Sequence, residues 1–170
     1  MNHSNNVSTL LRDGKKIRQF LSATKVTSNI KNNKDDINAI VDTKRGGTLL
    51  LIASKHGDVN NVRDLLQRGA NVNQCNNDGA TPLYVASHYG HLSIVELLME
   101  SGANVNQSTT YGGRSPLFTA CRRGNKDAVE ALIQRGKAEV NIATNAGDTP
   151  LSIACYFNHK YIVNILLKNG

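Results

Sequence analysis

A segment that recurs every 33 or 34 residues constrains the fold of this chain more than any other feature. Its clearest copy covers residues 78–106 and reads DGATPLYVASHYGHLSIVELLMESGANVN. Four units start with a threonine or serine, then a proline or leucine, then a leucine, at spacings of 33, 34 and 34 residues. The starting residues are Thr48, Thr81, Ser115 and Thr149. A period of this length is typical of repeat proteins, in which each unit packs on its neighbours.

Each unit predicts two short helices. Thr81 is a good N-cap, and Pro82 suits the first helical position because its missing N–H has no intrahelical partner there. Gly90 can take a positive φ and end this helix. A second run of apolar residues at helical spacing starts near Leu92 and stops before Gly102. Helices this short are marginal in water, so each unit needs neighbours to bury its apolar faces.

The segments that close the units are also alike: they read LLQRGANVN, LLMESGANVN and, with one inserted residue, LIQRGKAEVN. Together with Thr-Pro-Leu these motifs closely resemble the ankyrin repeat, although the first unit has Leu49 where the family has proline. The resemblance implies an all-α solenoid of stacked helix-turn-helix units with β-hairpin-like loops. The repeats are expected over 43–170, at about 43–75, 76–109, 110–143 and 144–170.

The first 42 residues do not follow this pattern. Apolar residues near helical spacing predict one helix over about 8–24, or two helical pieces hinged at Gly14. Residues 25–36 form a polar stretch that we interpret as a flexible connection. We interpret residues 1–42 as a helical cap on the first repeat followed by a polar linker. The alternative is that LLRDG, at 10–14, is the relic of a degenerate earlier repeat.

The fourth unit stops at Gly170, where Ala-x-Val-Asn should follow. We therefore expect a longer protein whose repeats continue, and an apolar face at the carboxyl end of this stack.

The three cysteines indicate a reducing compartment, because their number is odd and no bridge is expected between them. Cys121 and Cys155 hold the same place in consecutive units. Packed helices stand about 8–10 Å apart, whereas a disulfide needs Cα atoms within about 7 Å. We expect both to be small buried residues without a bridge. No run of about 18 apolar residues and no signal peptide is found, and we expect a cytoplasmic or nuclear protein without a membrane span.

The sequence offers little for catalysis. It has no GxSxG, HExxH or GxxxxGK[ST] motif and no Cys/His cluster with zinc spacing. His91 and His159 fall where the resemblance implies a bond to loop backbone, and the glycine pairs at 46–47 and 112–113 are interpreted as tight turns before helices. We predict that the chain is not an enzyme and holds no metal or cofactor.

Binding is the function that a repeat stack favours, because it presents an extended concave surface. By resemblance, the contact positions are those just before the cap and those that close the first helix of each unit. They are Lys44, Arg45, Lys55, His56, Asn77, Asp78, His88, Tyr89, Tyr111, Arg114, Arg122, Arg123, Asn145, Asp148, Tyr156 and Phe157.

This set is basic in the first and third units, with aromatic residues interleaved. Tyrosine and arginine are enriched at interface hot spots, so we predict a monomer that binds a protein or peptide with acidic and apolar residues in an extended or helical conformation. The plainer interpretation is that Arg122 and Arg123 are only a solvated face.

A formal net charge of +7 raises nucleic acid as a rival partner. Residues 1–47 hold nine lysines and arginines against four aspartates, so most of the excess lies in the amino-terminal segment. That segment could touch phosphates in a salt-dependent way, but no recognised nucleic-acid module accompanies it. Nucleic acid is therefore the alternative, and a protein partner the prediction.

Overall fold

Four helix pairs follow one another along residues 37–170, the part of the chain that the computed structural model describes. The first helices are α1 (Leu49–His56), α3 (Pro82–Tyr89), α5 (Pro116–Arg123) and α7 (Pro150–Tyr156). The second helices are α2 (Val59–Gln67), α4 (Leu92–Glu100), α6 (Lys126–Gln134) and α8 (Lys160–Asn169). The predicted all-α repeat architecture is confirmed. The predicted helix at 8–24 and the linker at 25–36 lie outside the described residues.

The four predicted N-caps start the first helices. Each hydroxyl accepts a hydrogen bond from the backbone N–H three residues later, at 3.1–3.3 Å, in the pairs Thr48–Leu51, Thr81–Tyr84, Ser115–Phe118 and Thr149–Ser152. Such a cap stabilises a helix by about 1 kcal/mol. The first three of these helices end at Gly57, Gly90 and Gly124, with φ of 73–75°.

The stack is held by like helices that pack on one another. Each first helix contacts the next first helix, and each second helix contacts the next second helix. Two columns of side chains run through the resulting core. Alanines that are completely buried form one column, at Ala53, Ala86, Ala120 and Ala154. Buried leucines form the other, at Leu65, Leu98, Leu132 and Leu166. Each buried leucine contributes about 1.5–3 kcal/mol.

Hairpin loops lead into the helix pairs. In the first unit, β1 (Ile40–Asp42) pairs antiparallel with β2 (Gly47–Thr48), with a bulge between Ile40 and Asp42. Each of the later loops is closed by two backbone bonds. The N–H groups of Asn76, Thr109 and Thr144 donate to the carbonyls of Ala80, Arg114 and Asp148, and a glycine N–H in each loop donates back to the carbonyl of the same Asn76, Thr109 or Thr144.

An asparagine in each closing loop joins one unit to the next. Its side-chain oxygen accepts the backbone N–H of the following loop, and the three bonds are Asn38 to Asn71 at 2.7 Å, Asn73 to Asn104 at 2.8 Å and Asn106 to Glu139 at 3.0 Å. His91 makes a further connection, since its Nε2 lies 3.2 Å from the carbonyl oxygen of Lys55. The expected partner of His91 is loop backbone, but Lys55 is in the last turn of α1, so the observed partner is the carbonyl end of a helix.

The prediction for the cysteines is half wrong. All three are free thiols, and Cys121 is buried as expected, but Cys155 is exposed. The reason is the neighbour on the far side: α7 covers Cys121, whereas within residues 37–170 no helix pair packs on the far side of α7 to cover Cys155. The apolar face expected at this end is present, and Leu167 in it is 63% exposed.

Candidate partner-binding surface

The hairpins and the first helices form one side of the stack, which we call the hairpin face. The contact residues predicted from the sequence lie on this side. A groove of about 220 Å³ lies between the first two units and is lined by five of the predicted contact residues, Arg45, Lys55, Asp78, His88 and Tyr89. A second groove, of about 410 Å³, lies between the third and fourth units and is lined by four more, Arg114, Arg122, Asn145 and Asp148.

The grooves have partly apolar walls that sequence reasoning missed. Leu51, Tyr84 and Val85 line the first groove, and Phe118 and Ile153 line the second. Leu51, Tyr84 and Phe118 each stand three residues after a cap. That places them one helical turn before the predicted contact positions, so the repeat spacing could have revealed them.

A polar cluster joins the second and third units beside the first groove. Arg123 Nη2 lies 2.7 Å from Nε2 of His88, and Nδ1 of the same ring lies 2.9 Å from Oγ1 of Thr119. Burial lowers the pKa of His88, and the positive charges of Arg123 and Arg122 lower it further. The ring is therefore neutral: Nε2 accepts from Arg123, and Nδ1–H donates to Thr119.

Four aromatic residues of the predicted set are exposed to solvent. Tyr156 is 81% exposed, Tyr111 73%, Tyr89 49% and Phe157 42%. The rings of Tyr156 and Phe157 meet edge to face with centroids 5.0 Å apart. An aromatic ring that is exposed to water is unfavourable and does not stabilise the core. Exposed rings are therefore typical of positions that contact a partner.

The hairpin tips are held in register by backbone bonds, and this gives two of the predicted residues a structural role. The N–H of Asn77 donates to the carbonyl of Arg45 at 2.9 Å, and that of Asn145 to the carbonyl of Gly112 at 3.1 Å. Gly113 must be glycine here, because its φ is +63° and a Cβ would lie 2.3 Å from Oδ1 of Asn145.

The remaining predicted residues lie on the hairpin face but outside both grooves. The N–H of Lys44 donates to the carboxylate of Asp42 at 3.2 Å, within the first hairpin turn. Arg123 reaches the first groove through His88. Tyr111, Tyr156 and Phe157 line neither groove, so the predicted set forms two clusters with aromatic residues beside them.

Positive charge is concentrated on this face. Residues 37–170 hold thirteen lysines and arginines against ten aspartates and glutamates. The hairpins and first helices carry six cations, at Lys44, Arg45, Lys55, Arg114, Arg122 and Arg123, and three acids, at Asp42, Asp78 and Asp148. The second helices, with their caps and following loops, carry seven cations and seven acids, so their charges balance. The whole excess of the described residues therefore lies on the hairpin face.

The described residues offer neither a metal site nor a membrane-spanning helix. Between residues 37 and 170, no three His, Cys, Asp or Glu side chains come together in a way that could hold a metal ion. Within the same stretch, no helix is long and apolar enough to cross a membrane.

Comparison with known families agrees with the architecture. A family model described as ankyrin repeats, in three copies, matches residues 2–109 and 106–170. No curated protein matches the chain. Because the family model covers nearly all of the sequence and the described part has the fold of stacked helix pairs, the chain belongs to the ankyrin repeat family.

Proposed function

We propose that this protein is a scaffold or adaptor that binds a protein or peptide partner on its hairpin face. Ankyrin repeats are in general protein–protein interaction modules. The observation that carries the proposal for this chain is the placement of charge: the excess of cations among the described residues lies on the hairpin face, next to exposed aromatic rings.

The partner that fits this surface carries acidic and apolar residues. Cations on the hairpin face attract an acidic partner and favour it over a basic one. Tyr89, Tyr156 and Phe157 supply the exposed apolar area. The protein acts as a monomer in this proposal, and the binding surface performs no reaction.

Charge reversal tests the proposal. The variant carries Arg122→Glu and Arg123→Glu, both exposed residues at the end of α5. Its matched control carries Arg63→Glu and Lys168→Glu, two exposed cations on second helices. Because neither pair is buried, the control should unfold at nearly the wild-type temperature. The α5 variant also loses the bond from Arg123 to His88, which should cost about 1 kcal/mol and leave the protein folded. Cross-linking and mass spectrometry in nuclease-treated lysate would identify the proteins that each version captures.

Proteins that are captured by the wild type and the control but lost with the α5 variant are the expected result. Equal capture by all three versions would remove the hairpin face from the function. The rival partner, nucleic acid, is favoured by the charge of residues 1–47, nine cations against four aspartates. It predicts capture that disappears after nuclease treatment and falls steeply with salt.

A further inference from the structure

The first helices end in two residues that occupy equivalent places in all four units, and their chemistry alternates. We call them the end pairs. They are Lys55–His56, His88–Tyr89, Arg122–Arg123 and Tyr156–Phe157, where Phe157 is the C-cap of α7. The first and third pairs carry lysine or arginine, and the second and fourth carry aromatic rings.

The second end pair is neutral even though it contains a histidine. His88 accepts a hydrogen bond from Arg123, and a protonated ring has no lone pair with which to accept one. Its rings also belong together, since those of His88 and Tyr89 meet edge to face at 4.9 Å. We call the four end pairs, taken in order along the stack, the row. The row therefore presents a cation, an aromatic pair, a cation pair and an aromatic pair.

One cation in each basic end pair is available to a ligand. Lys55 and Arg122 are exposed and form no ion pair with a described residue. The ion pairs found in residues 37–170 lie on or after second helices, between Arg68 and Asp64 and between Arg135 and Glu96. An acidic ligand would therefore not have to displace an internal partner.

The spacing of the row selects a ligand conformation. First helices pack directly on one another, and packed helices stand about 8–10 Å apart. A polyproline II helix returns a side chain to the same face every three residues, after about 9 Å, which matches one unit of the stack. A β-strand returns after about 6.6 Å. An α-helix reaches a similar distance only after seven residues, at about 10.5 Å, and would place few side chains on the row.

We propose that the end pairs bind an acidic, proline-containing peptide in the polyproline II conformation, in which acidic and apolar residues alternate every third position. Successive side chains on one face of the peptide meet successive units, so acidic residues six positions apart contact the first and third units. Apolar residues or prolines between and beyond them contact the rings of the second and fourth units, as in other aromatic surfaces that bind this conformation. This inference rests on the proposed function.

Selection from a random library of displayed peptides tests the spacing. The full chain is used as bait, beside two variants: Arg122→Glu with Arg123→Glu, and Tyr156→Ser with Phe157→Ser. All four residues are exposed, so the fold should survive, and thermal unfolding verifies this. We expect acidic residues six apart with apolar residues midway, enriched about tenfold, which corresponds to about 1.4 kcal/mol. The arginine variant should lose one acidic preference, and the aromatic variant should lose one apolar preference.

The alternatives give different patterns. Acidic residues about fourteen apart with an apolar residue midway would indicate an α-helical ligand. Acidic residues six apart with apolar residues two or four positions from them, on the same face of a strand, would indicate an extended strand, because the midway position then lies on the opposite face. Either pattern would overturn this inference and leave the proposed function standing. Enrichment without acidic residues would overturn it as well. Enrichment that is identical for the wild type and both variants would overturn the inference and the proposed function together.

Discussion

The third and fourth units have closely similar sequence patterns but differ in what surrounds them. Cys121 in α5 is buried, and its counterpart Cys155 in α7 is exposed. Ile133 in α6 is 7% exposed, and its counterpart Leu167 in α8 is 63% exposed. Helix pairs pack on both sides of the third unit and on one side of the fourth. At positions that face the next unit, burial is therefore decided by the neighbouring unit, whereas positions inside the helix pair, such as Ala154 and Leu166, are buried in the fourth unit as well.

The largest effect that tests this comparison is on stability. Ile133→Ala should lower the free energy of unfolding by about 2–5 kcal/mol, because it leaves a cavity between α6 and α8. Leu167→Ala, at the same position of the next unit, should change it by only about 0.5 kcal/mol because the side chain is already in solvent. Denaturant unfolding of the full chain measures both. If the two variants lost equal stability, the neighbour would not be what decides burial.

The second-largest expected effect is on the rates at which the cysteines are modified. Burial raises the pKa of Cys121 to about 12, so its reactive thiolate is scarce at neutral pH. In native protein, a thiol-reactive disulfide should modify Cys75 and Cys155 quickly and Cys121 about a hundredfold more slowly, since Cys121 reacts only when the stack opens. Removing one exposed thiol with Cys155→Ser separates its reaction from that of Cys75. Similar rates for Cys121 and Cys155 would mean that α7 does not cover the third unit.

The smallest expected effect is on the pH dependence of stability, and it concerns the contacts between units. His88 bonds to Thr119 across the second and third units, whereas Arg122 and Ile153 at the next contact line an open groove. Since burial and Arg123 lower the pKa of His88, the unfolded chain takes up a proton near pH 6.5 before the folded one does. The contribution of His88 to stability is therefore present above that pH and is lost as the pH falls.

Denaturant unfolding at several pH values measures this slope. Wild type should lose more stability than His88→Gln between neutral pH and about pH 5. The pKa of His56 is lowered too, by burial and then by Lys55, but His56 is present in both proteins and cancels in the difference. Parallel curves for the two proteins would contradict a lowered pKa of His88 in the folded stack.

The local parts of the fold could be predicted from the sequence, because they depend on residues close together in the chain. Thr48 caps α1 even though Leu49 replaces proline, since a cap needs only its own hydroxyl and an N–H three residues on. The turn glycines are of the same kind, as Gly90 ends α3 with φ of 75°.

Contacts between units were harder to predict, because they join residues more than thirty positions apart. The cluster of His88, Thr119 and Arg123 spans 35 positions and has no signature within a single repeat. The exposure of Cys155 depends on a neighbour that its own unit does not encode. The predicted contact residues lie on one face of the stack, but their role in binding stays a prediction.

The bonds from Asn38, Asn73 and Asn106 to the next loop have a mechanical consequence. They follow one another along the axis, so tension applied to the two ends loads every connection in series. Because each unit touches only its neighbours, the connection that ruptures first releases its own unit and leaves the others stacked. Under force, the array should lengthen in steps of one repeat.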